Sequence, residues 1–159
     1  MSIEEVNKYF KFEKSMNYFM DKYYKNLGFF IDWNGNKEYD CILHKKNISP
    51  IKVELKYRKK LYNDILVEII QDIKTNHPGW LYTSNSKYLH YVICGKKPIY
   101  YYSLDFKLFK EWFFKHINSN KVNFIISKKG WGLTLNMPIS IFKIPHNIIK
   151  KNDIIFRQT

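Results

Sequence analysis

The chain opens with apolar residues at helical spacing: Val6, Tyr9, Phe10, Met16, Met20, Tyr23, Tyr24 and Leu27 recur at three- and four-residue steps. This predicts a helix over residues 6–27, with Gly28 ending it as a C-cap. Glu13 falls on the same stripe, so a carboxylate is either drawn toward the interior or lies at the stripe's edge. The period then shortens. Residues 29–33 read as a short strand, Asn34-Gly35-Asn36 as a turn, residues 38–45 as a strand crossing Asp40, and 47–50 as a second turn. Over 51–57 the alternation is regular, with Ile51, Val53 and Leu55 on one face and Lys52, Glu54 and Lys56 on the other. Segments 38–45 and 51–57 therefore pair as a hairpin.

Further on, residues 65–73 are apolar but broken by Glu68, Gln71 and Asp72, and the pattern leaves strand and helix both open. His77-Pro78-Gly79 marks a loop, and 80–87 carries no assignment. Residues 88–94 and 99–102 read as a hairpin around Gly95-Lys96-Lys97-Pro98. A helix over 105–117 is capped by Asp105 and carries Leu108, Phe109, Trp112, Phe113 and His116 on one face. Strands follow at 122–127 and 131–136, then an apolar run at 139–144 closed by Pro145. With no repeat and no linker, residues 1–159 read as one α/β or α+β domain built around a mixed sheet.

Composition sharpens this picture in one respect. The 159 residues carry 27 Lys and Arg against 14 Asp and Glu, a formal charge of +13. A field of that size favours polyanionic partners, although A·T-biased coding would also enrich lysine. No strongly amphipathic terminal helix and no lipidation signal is present, so nucleic acid is favoured over a membrane surface. Glu4, Glu5 and Glu13 argue against a leader peptide, and no run approaches a membrane span. Cys41 and Cys94 sit in apolar runs as expected for buried thiols, and His44, His77, His90, His116 and His146 lack metal-ligand spacing.

The residues suited to chemistry are Asp40 and the run Glu54-Leu55-Lys56. On neighbouring strands, two carboxylates can converge on one divalent cation, and Lys56 shares the face of Glu54. Such a set can activate a water and relieve charge on a phosphoryl group. Glu68, Asp72 and Lys74 form a second acid–acid–lysine set, and Asp105-Phe106-Lys107 a third occurrence better explained as a cap. Charges on the solvated face of a sheet are the ordinary alternative for all of them.

These positions resemble the PD-(D/E)xK nuclease superfamily, in which a helix bearing a glutamate precedes a strand with an acidic residue and a strand with (D/E)-x-K. Glu13, Asp40 and the Glu54–Lys56 pair take those places, and their spacing is closest to small Holliday junction resolvase-type or phage members. The stretch from Pro78 to Ser84 followed by 88–92 is also similar to a segment of some small members. Tyr39 stands where the pattern has proline, and the resemblance covers roughly residues 10–94. It implies a restriction-endonuclease-like α/β fold, a mixed sheet flanked by helices, and a Mg2+-dependent DNA endonuclease that is structure-selective or weakly sequence-selective. It implies that Asp40, Glu54 and Glu13 hold Mg2+, with Mn2+ as a substitute, and that Lys56 assists the attacking water.

Around that site, Arg58, Lys59, Lys60, Lys74 and Lys87 are expected to contact DNA phosphates, and Trp80 to stack on exposed bases, with Tyr57, Tyr82 and Tyr88 as further candidates. Lys128-Lys129-Gly130 is a further basic turn or a solvated hairpin. A homodimer would cut both strands; no membrane and no small-molecule cofactor is expected, and the setting is cytoplasmic, in a bacterium or in the interior of a cell hosting a phage or virus. The alternatives are a non-catalytic nucleic-acid-binding protein of the same fold, or an interaction protein whose charge reflects composition alone.

Overall fold

The computed structural model describes residues 3–60, 62–119, 121–129 and 132–156. The Val6 side chain, Gly130 of the basic turn and Trp131 at the start of a predicted strand lie outside the described residues. In chain order the elements are α1 (Ile3–Asn26), β1 (Phe30–Asp32), β2 (Cys41–Lys45), β3 (Ile48–Arg58), β4 (Asp64–Asp72), β5 (His77–Pro78) and α2 (Trp80–Thr83). They continue with β6 (Tyr88–Cys94), β7 (Pro98–Asp105), α3 (Phe106–Ser119), β8 (Ile125–Lys129), β9 (Gly132–Ser140), a single 3-10 turn (Ile141–Lys143) and β10 (Ile149–Asp153).

The single sheet expected from the sequence is two sheets. A six-stranded sheet has the order β1-β2-β3-β6-β7-β10, and a four-stranded sheet the order β5-β4-β9-β8. In the larger sheet β3 and β6 pair in parallel while every other neighbour is antiparallel, so it is mixed. A parallel pair needs a crossover. Here β4, β5 and the short α2 supply it, and β4 seeds the second sheet on the way. The result is one α/β domain with three α-helices among the described residues.

Two cores lie on opposite faces of the large sheet. Met16, Met20, Tyr23 and Tyr24 of α1 pack with Val53, Leu55, Val92 and Cys94 on one side. Leu89, Tyr91 and Ile93 point to the other, against Phe106, Phe109 and Phe113 of α3 and Ile65, Val67, Met137 and Ile139 of the small sheet. Period-2 alternation thus divides β6 between the cores. Cys41 and Cys94 are buried free thiols, as expected, and no described helix is long and apolar enough to cross a membrane.

Helix α1 stops where predicted. Gly28 adopts φ +83°, its N–H donates to the Lys25 carbonyl, and the Phe29 N–H donates to the Tyr24 carbonyl, the double bond of a Schellman cap. At α3 the Asp105 carboxylate accepts from the Leu108 N–H at 3.1 Å, the expected N-cap. The turn placed at 47–50 is shorter: Asn47 takes a left-handed φ of 62° and β3 already begins at Ile48. Pro50 lies inside that strand, opposite the register shift between Leu43 and Lys45, where a bulge interrupts the ladder.

Candidate functional site

Asp40 stands not in a strand but in the bend just before β2. Its N–H donates to the Val53 carbonyl at 3.0 Å, and its Oδ2 accepts from the Leu55 N–H at 2.6 Å. Both bonds clip it to β3, so its carboxylate is fixed by the strand that carries Glu54 and Lys56. The preceding loop folds tightly beneath it. A Cβ at Gly35 would lie 2.3 Å from the Asp40 carbonyl oxygen, an approach that only glycine permits.

Strand β3 keeps the predicted facing. Val53 and Leu55 enter the α1 core, while Glu54 and Lys56 turn to the opposite face. That face is not the solvated one: the Glu54 side chain is 6% exposed and the Lys56 side chain 31%. The Lys56 Nζ lies 2.6 Å from Glu54 Oε1 and 3.9 Å from Asp40 Oδ2, a single ammonium between two carboxylates. Burial pushes the Lys56 ammonium down, but the charges of Asp40 and Glu54 outweigh it and hold the group above the ordinary lysine value. Lys56 is therefore a fixed cation. For Glu54, burial pushes the carboxyl above its ordinary value against the opposing pull of Lys56.

Glu13 joins this group from α1. It is half-buried, and burial raises its carboxyl, with Lys56 acting to lower it and Asp40 to raise it. It lines two adjoining hollows. One, with Asn17, Asp21, Trp33, Asp40 and Leu55, runs along α1. The other is a cleft of about 370 Å³ between the first turns of α1 and the β8–β9 hairpin, floored by Lys56, Arg58, Leu66 and Glu68. Two cross-links hold the helix over the sheet: the Tyr57 hydroxyl donates to Asn17 at 2.6 Å, and the Trp33 indole donates to Asp21 at 3.0 Å.

The competing set does not stay together. Segment 65–73 forms a strand, β4. Its Glu68 faces the cleft and pairs with Lys129 of β8 at 2.7 Å. Asp72 instead closes a turn, accepting from the Lys74 N–H at 3.1 Å and the Thr75 hydroxyl at 2.8 Å, and Lys74 is exposed.

Among the expected DNA contacts, Arg58 and Trp80 are held by other parts of the protein. Arg58 is committed internally: its guanidinium reaches Asp64 at 2.6 Å and the Tyr91 hydroxyl at 2.9 Å. Trp80 is 7% exposed and packs against Phe106 in the core, so that only an edge of it contributes to the lining of the cleft. Lys59, Lys60 and Lys87 are exposed, with Lys59 over the Phe12 ring and Lys87 over Tyr88. Sequence reasoning missed Tyr9 as a cleft residue. Its phenol is raised by burial and then by Glu13, and Lys56, Glu68 and Asp40 also act on it. Position supplied the signal: Tyr9 lies one turn before Glu13 on the same helix face.

Among the described residues, no group of three or more His, Cys, Asp and Glu is arranged to hold a metal ion. The convergent donors are Asp40 and Glu54 about Lys56. No protein-family model, no curated protein and no solved structure matches the chain.

Proposed function

We propose that this protein is a Mg2+-dependent deoxyribonuclease that hydrolyses phosphodiester bonds, built on the PD-(D/E)xK plan. One observation carries the reading: the ammonium of Lys56 sits between Asp40 and Glu54, at the side of a cleft that Glu13 enters from the first helix. Two carboxylates drawn to one cationic atom are a hard oxygen donor set, which fits Mg2+ and accepts Mn2+. Asp40 and Glu54 would hold the ion, with Glu13 as the adjoining carboxylate. When bound, such an ion lowers the pKa of a coordinated water and offsets charge on the phosphoryl oxygens.

The chain's own contributions follow from the geometry. Leu55 and Val53 orient Asp40 through their backbone, so little reorganisation is needed when charge develops nearby. Lys56 is held protonated by the charges of Asp40 and Glu54 while no ion offsets them; its proposed role is to orient the attacking water and to stabilise the extra negative charge of the transition state. Lys59, Lys60 and Lys87 offer exposed positive charge to phosphates beyond the scissile one.

The test is a Mg2+ and Mn2+ titration over linear, nicked, branched and single-stranded DNA, with Asp40→Asn and Glu54→Gln alongside wild type. The asparagine amide oxygen can still accept from the Leu55 N–H, so the Asp40 variant should fold and bind DNA while losing cleavage. Wild-type turnover by either folded variant, or no cleavage of any substrate by the wild type, refutes the assignment.

A further inference from the structure

Helix α1 outruns its core. Among the described side chains of α1 the fully buried ones begin at Met16, with Phe12 partly buried against the same core, whereas Tyr9 and Phe10 are 44% and 55% exposed. Both rings nonetheless line the cleft that holds Glu13 and Lys56, set edge to face with centroids 6.3 Å apart. Across from them stand Ser127, Asn136 and the Glu68–Lys129 pair of the small sheet. One wall is aromatic, the other is polar, and a cation lies on the floor.

We propose that this cleft receives an unpaired DNA strand, with a base face laid on Phe10, the Tyr9 ring set against its edge, and its phosphate directed toward Lys56. The inference rests on the nuclease reading and names the form of its substrate. Three features support it. A space of about 370 Å³ lies at the small end of the range for single bound ligands, roughly 300–1,000 Å³, which suits one nucleotide and not a stacked pair of strands. Exposed aromatic rings beside positive charge are the usual means of holding single strands without reading sequence. In a duplex, base faces are covered by their neighbours and phosphates line the outside of a stiff rod. Neither ring can then meet a base face while the backbone reaches Glu54, which is only 5% exposed. The strands must part first, as at a fork, flap or frayed end.

Binding, read without cleavage, tests this separately from the nuclease reading. Fluorescence anisotropy in Ca2+ would compare one strand, its blunt duplex and a splayed-arm duplex of the same sequence. The single strand and splayed arm should bind at least tenfold more tightly than the blunt duplex. Phe10→Ala should cost roughly tenfold on the single strand and less than twofold on the duplex, the scale of one lost stacking contact. A 2-aminopurine placed in the strand should be quenched on binding and released from quenching by Phe10→Ala. Phe10 is exposed, so the variant should keep its urea midpoint, and Tyr9→Leu supplies a second reading of the same wall.

Equal affinity for the blunt duplex overturns the proposal, as does unchanged strand affinity and quenching in both variants. Conversion of a dimer to a monomer by Phe10→Ala, with strand preference intact, also overturns it by assigning the rings to a subunit contact. Loss of cleavage with the binding preference retained would instead refute only the nuclease reading.

Discussion

The ammonium of Lys56 lies 2.6 Å from the carboxylate of Glu54, two residues back on the same strand face. The two groups are unequally covered, with Glu54 almost wholly buried and Lys56 partly open to solvent. Their pairing is therefore asymmetric: Glu54 depends on Lys56 far more than Lys56 depends on Glu54. Burying a carboxylate is costly unless an opposite charge stays beside it.

Lys56→Met should accordingly affect both stability and chemistry. Breaking a fully buried pair costs about 3–5 kcal/mol, and the exposure of Lys56 reduces the expected loss here to about 1–2 kcal/mol. Adding Glu54→Gln should recover most of that loss, because the uncompensated charge is gone. Cleavage at saturating DNA should fall in both. Urea denaturation of the two variants, paired with single-turnover rates, measures each effect; a double variant less stable than Lys56→Met would show that the pair is not coupled in this way.

Glu13 should make stability depend on pH with a definite sign. Its carboxyl is raised in the folded state, chiefly by burial, so the folded protein holds that proton more tightly than the unfolded chain. The stabilisation is present at pH below the ordinary carboxylate value and is lost as pH rises through the raised one. Relative to Glu13→Gln, the wild type should be more favoured at acid pH than at neutral pH. Urea midpoints of both proteins near pH 4 and pH 7 give the comparison, and a difference of opposite sign contradicts it.

Arg58 and Lys59 are adjacent, yet their removal should be read out differently. Arg58 links β3 to Asp64 and to Tyr91, whose hydroxyl also accepts from the Leu66 N–H at 3.1 Å, so the cluster ties the large sheet to β4. Arg58→Ala should lower stability by about 1–3 kcal/mol by leaving Asp64 without its partner. Lys59→Ala should leave stability nearly unchanged and make the dependence of DNA affinity on salt shallower by about one unit of log–log slope. Thermal melts and salt titrations of the two variants separate the roles. A shallower salt slope with full stability in Arg58→Ala would restore it as a phosphate contact.

Where one face of an element met the core and the other met water, the sequence was readable. The stripe of α1 from Met16 to Tyr24 and the Asp105 cap of α3 fall in that class, and the Val53–Leu55 alternation was readable because its opposite face, though largely covered, is charged. Segment 65–73 was not, because β4 buries Ile65 and Val67 on one face while Glu68 and Gln71 turn into a cleft on the other, so neither face is plainly solvated. Strand β10 escaped notice because it is a short edge strand of mainly charged and polar residues, Ile149–Asp153. For the site, the order of acids and lysine pointed to Asp40, Glu54 and Lys56, whose proximity the fold supplies. Residue type alone did not separate Arg58, held by Asp64, from Lys59, which is exposed, nor the buried Trp80 from the exposed Phe10.

The overhang of α1 makes the helix a cantilever. Its clamp is the buried segment around Met16, Met20 and Tyr24, and its outer end carries the exposed Tyr9 and Phe10. At about 1.5 Å per residue, Tyr9 lies roughly 16 Å along the axis from Met20. A small tilt admitted at the clamp is therefore multiplied at the tip, and the span between the aromatic wall and the β8–β9 hairpin changes with it. A substitution that loosened the packing around Met20 would then alter an entrance that Met20 does not itself line.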